Sequence, residues 1–366
     1  MLRSFPGFVQ PTGVRSRQRW LPSLLLALAL VVGWMATPVA ATAPPPRVEA
    51  RTAVVMDAAT GAVLWERQAH KPVLVASTTK ILTAIVANDA YPARKLFKVP
   101  EAAERVDGTR FGYRAGWSIR RDQLLTTLLL VSANDAAETL AAAWPDGGRA
   151  GFLQAMQAKA AELGCTDSTW RDPSGLEAPG HRASAADLAL LGRALLERPL
   201  LAKLVGSRSA RYVWPGGRRT VLGNHNHFVG WGRDPGALGV KTGYTTKAGS
   251  TIVAAQRRGG RTLIAVALGS EVMYDDVHAL LGYGFKVQPK AGAELLGQLP
   301  DPPEAAAPDP TLPPAAERIT GRVAASPSPL VERLGLRLLA APVPVAALAG
   351  VGCLLIGALA LVWQRR

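Results

Sequence analysis

The chain has 366 residues, of which 48% are hydrophobic. This excludes an intrinsically disordered protein and leaves room for one large catalytic domain with appendages. A formal net charge of +15 would suggest nucleic acid as the partner of a cytosolic protein. Both ends of the chain indicate export instead, so we expect no nucleic acid, and an anionic membrane surface or cell-wall polymer as the partner. A basic surface that only keeps the protein soluble remains the alternative.

The N-terminal residues 1–43 predict an export signal. Arg15, Arg17 and Arg19 form a positive patch, and residues 21–34 form an apolar stretch that is short for a membrane span. An Ala-Thr-Ala sequence then offers the small residues of a cleavage site. We expect cleavage after Ala43, with an uncleaved anchor as the alternative.

Residues 44–290 predict one catalytic domain. Residues 52–69 have the pattern of two short strands around a turn, and the apolar run after Ser77 that of a helix. The remaining predicted elements are two helices in 121–144 broken near 131–134, a helix in 151–164, a helix in 184–197 capped by Ser184, a strand in 237–245, a hairpin in 250–269 and a helix in 276–285. This order predicts an α/β fold: one antiparallel sheet with helices on both faces and an inserted, mainly helical subdomain.

The C-terminal residues predict a tether and an anchor. Residues 291–337 are rich in proline, alanine and aspartate, which is typical of a semi-extended linker. Residues 338–366 predict a membrane anchor with a short basic tail. Its uncharged run, residues 345–363, would form a helix about 28 Å long, enough to cross a hydrocarbon core. The terminal arginines favour the cytoplasmic side for the C-terminus.

Ser77 and Lys80 form an S-x-x-K pair at the start of a predicted helix. One turn separates them, so both side chains lie on the same side. A serine hydroxyl needs an adjacent base to be a good nucleophile. A lysine is such a base only where burial or a nearby cation lowers its pKa, and the mouth of an apolar helix offers burial. Taken alone the pattern is weak, because a chain of this length contains it roughly once by chance.

Two further motifs strengthen the prediction. Ser132 and Asn134 form an S-x-N motif at the predicted break between two helices, where a loop can aim both side chains into a cleft. Lys241, Thr242 and Gly243 form a K-T-G motif on a predicted strand, where glycine lets a ligand backbone approach closely. The alternatives are a helix cap for the first motif and an ordinary exposed strand end for the second.

The three motifs occur once each, in the order found in class A β-lactamases and penicillin-binding proteins, which carry aspartate inside the middle motif. The chain resembles the D-alanyl-D-alanine carboxypeptidases, which are low-molecular-weight penicillin-binding proteins. The similarity runs from about residue 51 to residue 285 and includes the segments VVMDAATGAVLWER, RDPSGLEAPGHRASAADLALL and KTGYTTKAGSTIVAAQRRGGRTLIAVALG. It implies a β-lactamase/transpeptidase-like fold.

The resemblance also implies the activity. Such an enzyme removes the terminal D-alanine of peptidoglycan stem pentapeptides, and β-lactam antibiotics inhibit it covalently. Ser77 would form the acyl-enzyme after Lys80 takes its proton. Ser132 would relay a proton to the leaving amine, and Asn134 would hold the substrate amide. No metal or organic cofactor is implied. The expected location is the bacterial cell membrane, with a single span and the catalytic domain outside the cytoplasm.

The K-T-G strand would complete the site. The resemblance implies that Lys241 adds positive charge and that the Thr242 hydroxyl contacts the substrate's terminal carboxylate beside Gly243. Backbone N–H groups of Ser77 and Tyr244 would form the oxyanion hole, which often supplies a large part of the rate gain.

One position departs from the family pattern. Relatives carry a carboxylate-binding arginine before the final helix, where this chain has Met273. Endopeptidase cleavage of cross-links is therefore an alternative to carboxypeptidase activity. A β-lactamase is a second alternative, but no E-x-x-L-N segment lies between Ser132 and Lys241, so slow release of penicillin is expected. A catalytically silent penicillin-binding sensor is the third.

Other polar residues carry weaker predictions. His225 and His227 would share one face of a strand, and a metal site there would need a third ligand, so a structural role is favoured. His181 is expected to form hydrogen bonds within a loop. Cys165 is expected to be a small core residue, since its only possible partner in the chain lies in the predicted span.

Overall fold

A computed structural model describes residues 43–297 of the chain. The predicted membrane anchor, the predicted export signal except Ala43, and residues 298–337 of the predicted linker lie outside the described residues. Within the described part, no helix has both the length and the apolar composition that crossing a membrane requires.

The described strands form one five-stranded sheet and two small hairpins. In chain order they are β1 (Thr52–Asp57), β2 (Val63–Arg67), β3 (Leu96–Lys98), β4 (Ser118–Arg120), β5 (Ser209–Val213), β6 (Arg219–Gly223), β7 (Ala237–Thr245), β8 (Gly249–Arg258) and β9 (Arg261–Ser270). The large sheet is antiparallel throughout, in the order β2-β1-β9-β8-β7. Among the strands of residues 43–297, β7 is therefore an edge strand with one side unpaired.

The described helices lie mostly between β2 and β7. In chain order they are α1 (Lys80–Ala90), α2 (Glu101–Glu104), α3 (Arg121–Leu130), α4 (Asn134–Ala142), α5 (Gly148–Glu162), α6 (Ala185–Leu196), α7 (Pro199–Val205), α8 (His227–Gly230) and α9 (Met273–Gly284). A single 3-10 turn, Ala76–Thr79, directly precedes α1.

The two faces of the sheet are covered by different layers. On β9, Ala265 and Ala267 belong to the apolar cluster beneath α9, whereas Ile264 and Val266 belong to a larger cluster that includes buried residues of α1, α4 and α6. Successive side chains of a strand point to opposite faces, so a continuous apolar strand is buried on both. The predicted architecture, an antiparallel sheet with helices on both faces and an inserted helical segment, is confirmed.

Residues 291–297, which the composition assigns to the linker, belong to the folded domain. Ala62, directly before β2, forms a β-bridge with Leu295, and Leu296 is 4% exposed within the larger apolar cluster. The boundary predicted after residue 290 is therefore too early. Two adjacent leucines among small residues carry no periodicity that could reveal such packing.

The structure confirms two local predictions, a helix break and a helix cap, and contradicts a third, a strand. The predicted helix break at residues 131–134 separates α3 from α4. Ser184 caps α6 as predicted, since its hydroxyl accepts a hydrogen bond from the Asp187 N–H at 3.0 Å. The strand predicted for His225 and His227 is wrong, because residues 224–226 form a loop and His227 begins α8. The alternating burial there comes from asparagine side chains that bond to the backbone.

Candidate active site

Ser77, the predicted nucleophile, lies in the 3-10 turn before α1. Ala76 before it has a φ of 47°, in the left-handed region that residues other than glycine rarely adopt. The Val75 carbonyl accepts hydrogen bonds from Thr78 Oγ1 at 2.6 Å and from Thr251 Oγ1 of β8 at 3.0 Å. The surrounding structure thus holds the turn in a strained conformation of the kind that clusters at functional sites.

Lys80 is the first residue of α1, and its side chain is fully buried. Its Nζ lies 2.8 Å from Ser77 Oγ and donates to the Ser174 carbonyl at 2.5 Å. Burial, followed by the positive charge of Lys241, holds the pKa of Lys80 well below its usual range, while nearby carboxylates oppose this shift. A neutral amine beside a serine hydroxyl is the arrangement that general-base activation requires.

A loop centred on Asp172 positions the carbonyl that Lys80 contacts. Asp172 Oδ1 accepts hydrogen bonds, at 2.8 to 3.0 Å, from the backbone N–H groups of Ser174, Gly175 and Leu176. Its other oxygen accepts from the Arg149 guanidinium at 2.6 Å. The sequence analysis missed this role, although the Asp-Pro-Ser-Gly run is a turn signal that could have drawn attention to it.

The S-x-N motif lies in the break between α3 and α4. Ser132 has a φ of 61°, and the break is pinned by the His225 N–H, which donates to the Leu130 carbonyl at 2.9 Å. Asn134 is 3% exposed, and its Nδ2 donates to the Asp107 carbonyl at 2.6 Å. Its Oδ1 has no hydrogen-bond partner within residues 43–297. Because a buried oxygen without a partner is costly, it is a candidate acceptor for a ligand N–H.

The K-T-G motif lies on β7, against the turn that carries Ser77. A Cβ atom at Gly243 would lie 2.6 Å from the Ser77 backbone nitrogen and 2.7 Å from Thr251 Oγ1. Only glycine therefore allows β7 to lie this close to the nucleophile. Lys241 is 2% exposed, burial lowers its pKa to about 7, and its Nζ donates to the Thr242 carbonyl at 2.7 Å.

The structure brings some of the predicted site residues into direct contact and leaves others apart. Ser77, Lys80 and Gly243 meet at the 3-10 turn, and Lys241 is near enough for its charge to act on Lys80. Among the side-chain hydrogen bonds of the described residues, none joins the Ser132 hydroxyl to either lysine.

Thr242 and Tyr244 point to the α9 face of the sheet. Thr242 pairs with Ile252, which belongs to the apolar cluster beneath α9, and directly paired residues share a face. Met273, the first residue of α9, packs against the same cluster. Met273 therefore adds an apolar side chain to this face, at the position where the family resemblance led us to expect an arginine. Tyr244 is 68% exposed.

The weaker predictions also have structural outcomes. His181 is 1% exposed; its Nδ1 accepts from the Arg171 N–H at 3.0 Å, so its Nε2 donates to Thr79 Oγ1 at 2.9 Å. Burial lowers the pKa of His181 to about 4, consistent with a structural role. Cys165 is buried, which raises the pKa of its thiol. Residues 43–297 contain no group of three side chains that could hold a metal ion.

The chain is similar to several known proteins. The chain matches the family model of D-alanyl-D-alanine carboxypeptidases over residues 39–272. D-alanyl-D-alanine carboxypeptidase DacB2 of Mycobacterium tuberculosis is 36% identical over 268 residues, which are 70% of this chain and 89% of that protein. The chain spans a smaller share, 58%, of DacF of Bacillus subtilis, which is 29% identical.

Two further similarities bear on function. A D-alanyl-D-alanine endopeptidase of Pseudomonas aeruginosa is 33% identical over 256 residues, which are 65% of this chain and 78% of that protein. The crystal structure of a D-alanyl-D-alanine carboxypeptidase from Mycobacterium tuberculosis superposes with a TM-score of 0.64 at 35% identity, covering 69% of this chain and 96% of that one. The fold and these matches show that the chain belongs to the D-alanyl-D-alanine carboxypeptidase family of serine peptidases.

Proposed function

We propose that this chain removes the terminal D-alanine from peptidoglycan stem pentapeptides through an acyl-enzyme on Ser77. Family membership supports the activity. The observation that carries the assignment of residues is the 2.8 Å approach of Lys80 Nζ to Ser77 Oγ. β-Lactam antibiotics acylate the same serine and act as covalent inhibitors.

Acylation begins with a proton transfer from Ser77 to Lys80. The neutral Lys80 amine takes the hydroxyl proton as Ser77 Oγ bonds to the carbonyl carbon between the two D-alanines. The carbonyl oxygen becomes an oxyanion, which the backbone N–H groups of Ser77 and Tyr244 stabilise. The missing side chain at Gly243 supports this step, because it allows β7 to lie against the Ser77 turn.

The leaving group then departs, and water completes the cycle. Ser132 relays a proton from Lys80 to the departing nitrogen, the C–N bond breaks and D-alanine is released. Asn134 Oδ1, which lacks a partner among the described residues, accepts an N–H of the bound peptide. A water molecule gives a proton to Lys80 as its oxygen bonds to the ester carbon. The bond from that carbon to Ser77 Oγ then breaks, Oγ takes the proton back from Lys80, and the shortened peptide leaves with a new carboxyl group.

The β7 side of the site orients the substrate. Lys241 attracts the substrate's negative charge, and the Thr242 hydroxyl donates to its terminal carboxylate. Both residues lie on the edge strand, and an extended peptide adds to such an edge by main-chain hydrogen bonds.

Endopeptidase activity is the second candidate function. Met273 gives the α9 corner an apolar character that suits a leaving group without a free carboxylate at that point. The similarity to an endopeptidase of Pseudomonas aeruginosa supports the same reading.

For location, we propose a single-pass protein of the bacterial cell membrane with its catalytic domain outside the cytoplasm. The support is the sequence pattern of residues 1–43 and 338–366. Removing residues 338–366 should move the enzyme from the membrane fraction to the soluble fraction of the cell envelope. Persistence of the shortened chain in membranes would contradict the anchor.

The activity is tested with two substrates and one variant. Release of D-alanine from a stem pentapeptide is measured beside cleavage of a cross-linked peptide dimer. Fluorescent penicillin labelling on a gel reports the acyl-enzyme, which persists on a carboxypeptidase and disappears quickly from a β-lactamase. Ser77→Ala should abolish release and labelling while the melting curve stays cooperative. Labelling without release from either substrate would identify a silent sensor, and labelling of Ser77→Ala would refute the nucleophile.

A further inference from the structure

The small hairpin formed by β5 and β6 has an outer face that mixes cations with apolar side chains. Arg211 and Val213 on β5 are exposed, as are Arg219 and Val221 on β6. Arg211 is paired with Val221 and Val213 with Arg219, so the four side chains share one face, with each arginine opposite a valine. We call these four side chains the arginine–valine face. None of the reactions described above uses it.

Two further arginines lie beside the arginine–valine face. Arg94, Arg120 and Arg211 line one surface cavity of about 350 Å³ together with Val213. Leu96, which is paired with Arg120 in the β3–β4 sheet, is 62% exposed. The same combination of cationic and apolar side chains therefore continues from one small sheet to the other.

These arginines have no carboxylate partners within residues 43–297. No nitrogen–oxygen approach within 4.0 Å joins any of the four to an acidic side chain of that part of the chain. Asp122 also lines the cavity, but it is paired with Arg121 at 2.9 Å. Four positive charges are thus available to an anion from outside the domain.

The hairpin is fixed to the catalytic domain. The Tyr212 hydroxyl on its inner side lies 2.8 Å from the hydroxyl of Tyr113, and both side chains are buried. Trp214, directly after β5, stacks on Phe111 with ring centroids 4.4 Å apart. The arginine–valine face is therefore presented by a rigid base and not by a free loop.

An anionic bilayer surface accepts both kinds of side chain at once. Arginines are attracted to lipid phosphates, and apolar side chains enter the boundary between headgroups and acyl chains. A dissolved anionic polymer would neutralise the cations but would leave Val213 and Val221, which are 42% and 66% exposed, in water. The alternation of arginine and valine therefore favours a membrane surface over a polymer of the cell wall.

We propose that the arginine–valine face docks the catalytic domain on the surface of an anionic phospholipid bilayer. The two valines enter the outer edge of the bilayer. Arg211 and Arg219, with Arg94 and Arg120 beside them, contact lipid phosphates. Docking adds a second membrane contact to the proposed C-terminal anchor, so it rests on the proposed location of the protein, but it does not depend on which peptide the enzyme cleaves.

The test compares bilayers that differ only in charge. The full chain is reconstituted into vesicles of phosphatidylcholine or of phosphatidylcholine and phosphatidylglycerol in a ratio of about 3:1. Hydrogen exchange of the backbone amides of residues 209–223 is then measured in both. Flotation with the neutral vesicles reports the anchor, whereas the difference in exchange between the two kinds of vesicle reports the hairpin. Failure of the anchor and failure of docking are therefore distinguished.

Two double variants separate the contribution of the charges from that of the apolar side chains: Arg211→Gln/Arg219→Gln and Val213→Ser/Val221→Ser. Arg171→Gln/Arg182→Gln, which removes two exposed arginines from a different part of the domain, is the matched control. All three variants change exposed side chains, so their melting curves and penicillin labelling should match those of the unchanged chain.

The hairpin amides should exchange about tenfold more slowly at the anionic vesicles than at the neutral ones, because each basic residue near such a surface strengthens binding roughly fivefold. The arginine variant should lose most of this protection, the valine variant part of it, and the control none. Equal exchange at both kinds of vesicle, or full protection in the arginine variant, would overturn the proposal. If soluble poly(glycerol phosphate) protects the hairpin equally well at neutral vesicles and the valine variant keeps full protection, the face binds a polymer and the membrane assignment is wrong.

Discussion

The two buried lysines of the site have the same degree of burial but different surroundings. Lys80 is fully buried, contacts Ser77 Oγ and the Ser174 carbonyl, and is near three carboxylates, Asp172, Glu138 and Asp135. Lys241 is 2% exposed, and the one side-chain hydrogen bond it makes within residues 43–297 goes to the Thr242 carbonyl. Burial lowers the pKa of both lysines.

The site therefore has a completed side, whose groups already have protein partners, and an open side, whose groups remain available to a substrate. On the Lys80 side, formed by Ser77, Lys80 and the Asp172 loop, each group already has the partner its role requires. On the Lys241 side, formed by Asn134, Lys241 and Thr242, donors and acceptors remain for a substrate. Catalytic groups gain from being positioned before the substrate arrives, whereas binding groups gain by exchanging water for the substrate.

Lys80→Arg should cause the largest loss of activity, because it removes the base on the Lys80 side of the site. A guanidinium keeps the charge but does not lose its proton at accessible pH, so it cannot act as the base. The rate of acylation by penicillin should fall by about 10²- to 10⁴-fold. Lys247→Arg, which alters an exposed lysine paired with Glu177, is the control and should acylate normally.

The pH dependence of the acylation rate in the unchanged enzyme is a second test of Lys80 as the base. Because burial and Lys241 lower the pKa of Lys80, the neutral amine forms as pH rises through that depressed value. The acylation rate should rise over the same interval and then level off. Acylation by Lys80→Arg at a near-normal rate would mean that another group activates Ser77.

Asp172→Asn should damage the support of Lys80 and reduce stability. The variant keeps the shape but weakens the backbone hydrogen bonds and the contact with Arg149, at a cost of roughly 2–4 kcal/mol in the free energy of unfolding. The Asp172 charge raises the pKa of Lys80 against the effect of burial, so its loss should move the acid limb of the acylation profile to lower pH.

Urea unfolding and acylation rates across pH measure these two effects. Asp146→Asn, at an exposed position in the turn before α5, should change neither. Unchanged stability in Asp172→Asn together with an unmoved acid limb would show that the loop does not support Lys80.

Whereas Asp172→Asn should lower the free energy of unfolding, Lys241→Met should raise it. The folded protein lowers the pKa of Lys241 to about 7, whereas the unfolded chain keeps it near 10.4, so the unfolded state binds more protons between these values. Lys241 therefore disfavours folding most at pH 7 and below. This penalty fades as pH rises toward the unfolded value.

Replacing Lys241 with methionine should raise the free energy of unfolding by roughly 1–4 kcal/mol at pH 7, with a smaller gain at pH 10, while peptide hydrolysis falls. Thermal unfolding at both pH values checks the sign. Leu201→Met, a buried substitution that removes no charge, should show no such pH dependence. A loss of stability in Lys241→Met at pH 7 would mean that its contacts outweigh the penalty of burial.

The sequence predicted the parts of the site that lie in short motifs. S-x-x-K places Ser77 and Lys80 one helical turn apart, and the α3–α4 break follows from a local interruption of helical periodicity. Gly243 was predicted within K-T-G for a different reason, the approach of a ligand backbone, whereas in the structure its missing side chain lets β7 lie against the Ser77 turn.

The parts that could not be predicted depend on contacts between distant segments. Asp172 meets Arg149 across 23 positions of sequence, and neither residue belongs to a repeating pattern. Leu295 bridges Ala62 beside β2, and Leu296 packs into the core, from a stretch whose composition resembles a linker. The places of these residues are set by contacts between segments that are far apart in the sequence. The periodicity of a single sequence does not reveal such contacts.

Thr242→Val, which tests the open side of the site, is expected to have the smallest effect of these variants. With Met273 in an apolar setting, the Thr242 hydroxyl is the candidate donor to the terminal carboxylate on the α9 face. Thr245, the other candidate on β7, already donates to Glu177 at 3.0 Å, which ranks it second. A hydrogen bond to a charged group contributes roughly 1.5–3 kcal/mol, so kcat/KM for a peptide with a free carboxylate should fall by about 10- to 150-fold.

A peptide with an amidated C-terminus distinguishes a loss of carboxylate binding from a structural change in the site. Valine has nearly the volume of threonine, so β7 should keep its position and the amidated peptide should lose little in Thr242→Val. Thr245→Val is the matched control and should affect both peptides slightly, since its hydroxyl is engaged by Glu177. If Thr242→Val lowers kcat/KM equally for the free and the amidated peptide, the hydroxyl is structural and the open side holds the carboxylate through Lys241.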